Sequence, residues 1–159
     1  MAEPLVPGTV AEHTGCLLLK LGQVVYRLAE RALEADGLRV RHYSVLQALA
    51  DNGAMSQHAL GAYLRIDPAT MVATLADLEQ GGRTTRVRDA ADRRRYVVDL
   101  TDSGREALRG AVAALVGVVA SAFADLSPDE RRALHEVLLK LSTGDALPAA
   151  FDRARSRRG

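Results

Sequence analysis

Residues 56–100 read SQHALGAYLRIDPATMVATLADLEQGGRTTRVRDAADRRRYVVDL, and this stretch decides the fold. In its first half, Ser56 can cap a short helix that ends near Leu64. Asp67 can cap the next helix, and Pro68 suits the first position of that helix because no amide hydrogen is needed there. The short connection between the two helices predicts a helix–turn–helix.

A two-stranded hairpin is predicted after the second of these helices, which Gly81-Gly82 terminates. The apolar period changes there from helical to alternating, so residues 83–89 and 96–100 indicate strands. Asp89-Ala-Ala-Asp92 has turn chemistry, and Arg93-Arg94-Arg95 form the tip and its return. A basic hairpin beside a helix pair favours DNA binding, with the helix in one groove and the tip on the backbone or the neighbouring minor groove.

Two more helices are predicted before this stretch. Thr9-Val-Ala-Glu12 has capping-box spacing, so we expect a long helix to begin there. It should end at Asp36-Gly37, with glycine in the left-handed position. Residues 41–51 predict the second helix, and Ala54-Met55 a minimal strand.

Two helices should also follow the hairpin, giving a mainly α fold with a small β-wing. Thr101 can cap the first, and we expect its uncharged part, residues 110–124, to be buried on several sides. Ser127-Pro-Asp-Glu130 is another capping box and opens the second. The Ala/Arg-rich tail after Thr143 is expected to fray.

The composition supports helix packing. Of the 159 residues, 48% are hydrophobic and only 4% aromatic, so the core must consist mostly of Leu, Val and Ala. The net charge is +1, but residues 83–95 hold six Arg against two Asp, a local patch that suffices for phosphate contact. The only cysteine, Cys16, excludes an intramolecular disulfide. Because no secretory signal is visible, we expect a cytoplasmic protein.

Three segments resemble the MarR family of bacterial winged-helix regulators. They are Leu78-Glu79-Gln80-Gly81-Gly82, Arg88-Asp89-Ala90-Ala91-Asp92-Arg93-Arg94 and Leu100-Thr101-Asp102-Ser103-Gly104. The most specific feature is the Asp-Arg-Arg run, with Leu-Thr beginning six residues after its last arginine. The resemblance covers residues 9–141, nearly the whole chain.

The resemblance implies that residues 1–159 form a single winged-helix regulator domain. Residues 41–100 would be the winged helix–turn–helix head, and residues 9–36 and 101–145 the dimerisation helices. Such a protein binds a pseudo-palindromic operator in double-stranded DNA as a homodimer. It mostly represses transcription, and a small molecule or thiol oxidation releases the DNA. The residues support the dimer independently, because the terminal helices carry more apolar surface than one head can cover.

The predicted DNA contacts lie on the helix pair and on the wing. With Leu75 and Leu78 turned inward, the fourth helix should present methyl and hydroxyl groups that suit thymine and phosphate. By resemblance, Arg94 lies in or near the minor groove, and Asp92 would hold the wing arginines by charge-assisted hydrogen bonds. The predicted set is Ser56, His58, Ala69, Thr70, Ala73, Thr74, Arg86, Arg88, Asp92, Arg93, Arg94 and Arg95. For His58, an ordinary surface histidine is equally compatible.

The chain departs from the family pattern in two places. Family members often carry Arg or Lys near Ala73 and a hydroxyl near Val72, whereas the fourth helix has no basic side chain. Discrimination should therefore depend more on methyl contacts, the wing and groove shape than on guanine readout by arginine. Arg83 stands where the family usually has an apolar residue, so it must reach solvent or a carboxylate, and we expect looser wing packing.

The resemblance also implies a small-molecule effector site in a crevice between the dimer helices and the head. Lys20 or Arg27, together with His42, could hold an acidic, aromatic effector. The alternative is that Cys16 and Tyr43 belong to the core and the others to the surface. The candidates are His13, Cys16 and Lys20, stacked along one side of the first helix, and Tyr26, Arg27, His42 and Tyr43.

The sequence argues against an enzyme. It has no P-loop, dinucleotide-binding, nucleophile-elbow or zinc-protease motif, so no catalytic residue and no cofactor are predicted. The four His and one Cys are scattered, so no metal site is predicted, and no segment reaches the roughly 20 apolar residues of a membrane span. Two alternatives stay open: a redox-sensing regulator that uses Cys16, and a winged-helix module for protein contacts without DNA binding.

Overall fold

The computed structural model describes residues 4–156 and the side chains of residues 4–154, so parts of the predicted 1–159 domain lie outside the described residues. Its elements are a 3-10 turn (Gly8–Glu12), α1 (Thr14–Glu34), α2 (Val40–Asn52), α3 (Gln57–Leu64), α4 (Pro68–Gln80), β1 (Thr84–Arg88), β2 (Tyr96–Leu100), α5 (Asp102–Ala122), α6 (Pro128–Thr143) and α7 (Ala146–Ser156). The predicted mainly α fold with a small β-wing is confirmed. None of the described helices is long and apolar enough to cross a membrane.

Capping side chains begin four helices where the sequence predicts them. Ser56 and Asp67 accept amide hydrogens from the first turns of α3 and α4. Thr101 does the same for α5, at 2.9 Å between its Oγ1 and the accepted amide nitrogen. Ser127 and Glu130 form the predicted capping box of α6. These helices therefore begin where a side chain satisfies an amide that has no partner within the helix.

The first helix begins later than predicted. Residues 8–12 form only a 3-10 turn, and His13 is extended, with φ −101° and ψ 110°. This extended residue interrupts the i to i+4 hydrogen bonds, so the helix predicted from the Thr9 capping box starts at Thr14 instead.

The end of α1 follows the prediction. Gly37 has φ +64°, a conformation that glycine adopts without steric cost. The amide of Gly37 donates to the Glu34 carbonyl, and the amide of Leu38 donates to the Leu33 carbonyl, both at 3.0 Å. This is a Schellman motif, and the burial of Leu33 and Leu38 adds its usual apolar contact.

The chain divides into two compact units, one ending at Val119 and the other beginning at Ala120. The core of the first unit joins the end of α1 to α2, α3, α4, β2 and α5. It consists of Leu33, Leu38, Val45, Leu46, Ala48, Leu49, Leu60, Met71, Leu75, Leu78, Val98, Leu100 and Ala111. This is the predicted core of mainly Leu, Val and Ala.

The wing is a two-stranded antiparallel sheet. Its register runs from Thr84 opposite Leu100 to Arg88 opposite Tyr96. Met55 pairs with Val98 in an isolated bridge, which confirms the minimal strand predicted there. Because this bridge contains two backbone hydrogen bonds, of 3.0 and 2.8 Å, it fastens the wing to the segment that leads into α3.

Arg83, at the root of the wing, is half-buried and binds main-chain carbonyls rather than a carboxylate. Its Nη2 donates to the carbonyl of Asp36 at 2.6 Å, and its Nη1 donates to that of Gly37 at 3.4 Å. A cation at a helix C-terminus satisfies unpaired carbonyls and complements the helix dipole. Main-chain carbonyls therefore take the place of the expected carboxylate, and the arginine attaches the wing to the end of α1.

Two predictions for the later helices are wrong. Within residues 110–124 only Ala111 is buried, whereas Val116 exposes 62% of its surface and Val119 exposes 45%. The uncharged part of α5 is therefore not enclosed within one chain. The tail after Thr143 does not fray but forms α7, which packs against α6 in the second unit. Its alanines, leucine and arginines are strong helix formers, and this contact supports them.

Candidate nucleic-acid interface

The fourth helix exposes a face of small, uncharged side chains. Its inner stripe is fully buried and consists of Met71, Thr74, Leu75 and Leu78. The side chains that point to solvent before the last turn are Ala69, Thr70, Val72, Ala73 and Ala76. Among the residues predicted to contact DNA, Ala69, Thr70 and Ala73 are therefore exposed as expected.

Thr74 was predicted to face outward, and the structure buries it completely. It lies three residues after Met71 and four before Leu78, so it belongs to the same helical stripe as these two core residues. Its hydroxyl donates to the carbonyl of Thr70 at 2.7 Å, which satisfies the buried oxygen. Thr74 is a core residue and cannot contact a base from this position.

Asp77, an exposed residue of α4, connects α4 to α2. Its Oδ2 accepts from Nη2 of Arg41 at 3.0 Å and lies 3.2 Å from Nε2 of His42. The hydrogen bond from Arg41, followed by that from His42, lowers the pKa of Asp77. The Arg39 amide donates to Nδ1 of His42 at 3.1 Å, so the ring proton lies on Nε2 and is donated to Asp77. These contacts fix α4 against the beginning of α2.

This arrangement of His42 predicts a stability change with pH. Burial is the main cause that lowers the pKa of His42, and it outweighs the opposing hydrogen bond to Asp77. The unfolded chain takes up a proton at its histidines near pH ~6.5, whereas folded His42 does so only at lower pH. The free energy of unfolding should therefore fall as pH drops below about 6.5, by at most about 1.4 kcal/mol per pH unit for this group. Chemical denaturation at a series of pH values measures the free energy of unfolding and therefore its slope with pH.

The His42→Gln variant should lose this slope, and His58→Gln, which changes an exposed histidine, should keep it. Asp77 and Glu30 have lowered pKa values, so their stabilisation is lost in a separate window, below about pH 4. Equal slopes between pH 7 and 5 for the native chain and His42→Gln would contradict the assignment to His42.

The wing tip is shaped by two aspartates. Asp89 Oδ1 accepts from the amide of Ala91 at 2.9 Å, and Asp92 Oδ1 accepts from the amide of Arg94 at 3.0 Å. The Arg95 carbonyl accepts from the Asp89 amide at 3.0 Å and closes the loop. Asp92 is predicted to hold the wing arginines by charge-assisted hydrogen bonds, and the bond that it forms is to the main-chain amide of Arg94, so its carboxylate orders the backbone of the tip. A short polar side chain is well suited to this local contact.

Arg93, Arg94 and Arg95 are exposed at the tip. Their guanidinium groups form no ion pair with any carboxylate among the residues whose side chains are described. Three cations on an ordered turn can bind an external anion without first breaking an internal ion pair. The structure therefore brings together the tip residues that the sequence predicts.

Arg86 and Arg88, also predicted to contact DNA, make contacts within the head. Arg86 Nε donates to Glu79 Oε1 at 2.8 Å and so joins β1 to the last turn of α4. Arg88 donates to the Arg93 carbonyl at 2.8 Å, and its guanidinium carbon lies 4.3 Å from the centre of the Tyr96 ring. Both arginines brace the wing, and a direct contact of either with DNA stays a prediction.

The start of α3 lies across a cleft from the wing. The cleft has a volume of about 480 Å³ and is lined by Ser56, Arg88 and Arg95 among other residues. The Ser56 Oγ accepts the capping hydrogen bond from Ala59, so its own proton is left to donate. His58 is exposed on the same helix. Of the predicted phosphate contacts, Ser56 before α3 and Arg88 and Arg95 on the wing therefore line one opening.

The predicted effector residues do not form one cluster. Cys16 and Lys20 line a cleft of about 260 Å³ with the apolar residues Leu5, Val6 and Val10. His13, Tyr26 and Arg27 are exposed, Tyr43 is half-buried against the core, and His42 is bound to Asp77. A contact between α1 and α2 lies farther along α1, at Glu30.

Glu30 joins α1 to the beginning of α2. Its Oε1 accepts from the amide of Val40 at 3.0 Å, and Arg39 donates to its Oε2 at 3.4 Å. Although Tyr26 is largely exposed, the partial loss of water around its hydroxyl, followed by the neighbouring Glu30 carboxylate, raises its pKa. Cys16 precedes Glu30 by 14 residues, roughly 21 Å along a helix. Tyr26 therefore lies near the junction with α2, whereas Cys16 and Lys20 belong to a separate cleft.

Sequence reasoning missed the contacts that hold α4 and the wing in place. Arg41 and Asp77 are 36 residues apart, and Arg83 and Asp36 are 47 apart. No local spacing predicts such pairs. The sequence indicates one of these contacts only indirectly, because Arg83 places a charge at a position expected to be apolar and must therefore find a partner. Across the described residues, no group of three or more His, Cys, Asp or Glu side chains is arranged to hold a metal ion.

Comparisons with known proteins agree with this architecture. A sequence model of the MarR family matches residues 36–95. The putative transcriptional regulatory protein for the hcr operon of Thauera aromatica is 31% identical over 144 residues, covering 89% of this chain and 86% of that protein.

Two solved structures are also similar along most of their length. Bordetella bronchiseptica BpsR, whose DNA binding is regulated by 6-hydroxynicotinic acid, is 30% identical with a TM-score of 0.74, covering 87% of this chain and 99% of that one. The Mycobacterium tuberculosis MarR family protein Rv2887, in complex with DNA, is 25% identical with a TM-score of 0.71, covering 82% and 98%. Together with the helix–turn–helix and the wing, these relationships show that the chain belongs to the MarR family of winged-helix transcriptional regulators, which are not enzymes.

Proposed function

We propose that this regulator is a homodimeric repressor that binds a pseudo-palindromic operator through α4 and the wing. The observation that carries the proposal is the wing tip, where three exposed arginines stand on an ordered turn and have no carboxylate partner among the described side chains. Such a tip suits phosphates or the narrow, electronegative minor groove. The DNA complex of the related Mycobacterium tuberculosis protein supports this use of the fold.

Unburied apolar side chains on the terminal helices support the homodimer. Within one chain, α6 has no buried residue, and α1 buries only Ala29 and Leu33. The large apolar residues left exposed on α1, α5 and α6 are Leu18, Leu19, Leu21, Leu28, Val112, Val116, Val119, Val137, Leu138, Leu139 and Leu141. Apolar surface of this extent is stabilised by burial against a second copy. A symmetric pair would set two recognition helices about 34 Å apart, one turn of DNA.

We further propose that a small acidic, aromatic molecule releases the DNA. The effect of 6-hydroxynicotinic acid on BpsR supports this chemical class. Tyr26 and the exposed Arg27 stand near the junction of α1 with α2, and Arg39 and Arg41 lie close enough to influence Tyr26. The ring of an aromatic carboxylic acid can stack on Tyr26, and its carboxylate can pair with the neighbouring arginines.

Titration of the purified chain with labelled duplexes from upstream of its own gene tests the proposal. We expect two chains per site and an affinity that falls steeply with salt, by about 0.9 log–log units per phosphate contacted. A coding-region duplex of equal length serves as control, and aromatic carboxylic acids added to the complex should release the preferred duplex. Equal affinity for both duplexes, or one chain per site, would contradict the proposal. A reporter behind the same promoter should rise when the gene is deleted.

A further inference from the structure

The exposed face of α4 carries almost only methyl groups. Between Pro68 and Ala76 the sequence has no Arg, Lys, Asn, Gln, Asp or Glu. The outward positions are three alanines together with Thr70 and Val72, and Val72 exposes 51% of its surface. In the major groove, guanine is read by a donor such as Arg, adenine by an amide, and cytosine by a carboxylate. None of these groups is available on this part of the helix.

The carboxylates on α4 and at its N-cap are engaged in contacts within the head. Asp67 caps α4 by accepting from the amide of Thr70, whose hydroxyl also lowers the pKa of Asp67. Asp77 is bound by Arg41 and His42, as described above. At the end of α4, Glu79 is paired with Arg86. A base edge facing the first turns of α4 therefore meets apolar surface rather than a free charge.

Thymine is the base that presents an apolar group, its 5-methyl, in the major groove. We infer that α4 recognises its half-site by burying thymine methyl groups against Val72 and the neighbouring alanines. The inference rests on the proposed DNA binding and specifies which bases the helix selects. Small side chains also let the helix axis approach the groove floor closely, which apolar contact at van der Waals distance requires.

Selection of duplexes from a random pool by the full-length protein gives the first test. Each half of the enriched site should contain conserved thymines at the positions covered by α4. Conserved half-sites with only G·C pairs at those positions would overturn the inference. No enrichment of any sequence would contradict the proposed operator binding itself, so the two failures are distinguishable.

Replacing single conserved thymines with deoxyuridine gives the second test, because deoxyuridine lacks only the 5-methyl group and keeps its base pairing. Loss of one buried methyl should weaken binding about fourfold. The same replacement outside the conserved positions should have no effect. The inference would also be overturned if an operator with deoxyuridine at every conserved position binds as tightly as the thymine operator.

Val72→Ala identifies the protein partner of the methyl group. Alanine is a stronger helix former than valine and position 72 is exposed, so α4 should remain folded. It should lose the sensitivity to deoxyuridine at one conserved position, whereas Val87→Ala, the same change on the wing, should retain it. If Val72→Ala keeps the full fourfold effect at every position, Val72 is not the residue that reads the methyl.

Discussion

Replacing Gly104 with alanine is expected to lower the free energy of unfolding by about 3 kcal/mol. Gly104 is buried in the first turn of α5, and an added Cβ would lie 1.9 Å from the Arg83 carbonyl oxygen and 3.2 Å from Leu100 Cδ2. The first of these contacts is with main chain that cannot rotate away. The Thr101 amide also holds this carbonyl oxygen in place. The root of the wing would therefore have to move away from α5.

Gly110→Ala is the matched control in the same helix. Its Cβ would meet only the Asp36 carboxylate, at an ordinary 3.6 Å, so this change should be neutral or stabilise the chain by up to about 1 kcal/mol. Urea denaturation of both variants gives the comparison. A Gly104→Ala midpoint equal to that of the native chain would show that α5 and the wing are not in this close contact.

Arg94→Ala is expected to weaken binding to the operator by about 1–3 kcal/mol, or roughly 5- to 150-fold. Its guanidinium stands on a turn whose backbone is fixed by Asp92, so little conformational freedom should be lost when it enters a groove. Because no internal ion pair is formed, binding does not have to break one. Fluorescence anisotropy at fixed salt measures the change.

Arg109→Ala, which removes the same charge from α5, is the control for a general electrostatic effect. Arg109 is exposed and pairs with Glu106 outside the helix–turn–helix and wing, so its loss should change the affinity little. Equal weakening by the two variants would mean that net charge, and not the position of Arg94, determines the affinity. Both variants should keep the native melting temperature, since neither side chain contributes to the core.

The elements that sequence reasoning placed correctly depend on contacts within a few residues. Ser56, Asp67 and Ser127 each satisfy an amide in the first turn of their own helix, so the spacing alone predicts the boundary. The glycine that ends α1 needs only its own left-handed conformation. The wing strands follow from alternation and from turn residues between them.

The errors concern positions decided by distant residues or by competing local structure. The polarity of Thr74 suggests an outward position, but the residue lies on the same helical stripe as Met71 and Leu78 and is buried. Its burial is tolerated because its hydroxyl forms a hydrogen bond within the helix. Thr9 has suitable spacing, yet the extended residue His13 follows it and α1 begins beyond. The contact between His42 and Asp77, 35 residues away on α4, is likewise not predicted from the sequence. Such pairings are set by the tertiary fold, which a single sequence does not reveal.

The bonds from Arg83 to the carbonyls of Asp36 and Gly37, directly after α1, have a mechanical consequence. One residue anchors the root of the wing to the terminus of a long helix, with contacts of 2.6 and 3.4 Å. A shift of that terminus by an ångström must either stretch these bonds or carry the base of the hairpin along with it. The end of α1 and the arginine tip of the wing therefore move together. A ligand that tilts α1 near Glu30 would change the orientation of the tip without contacting it.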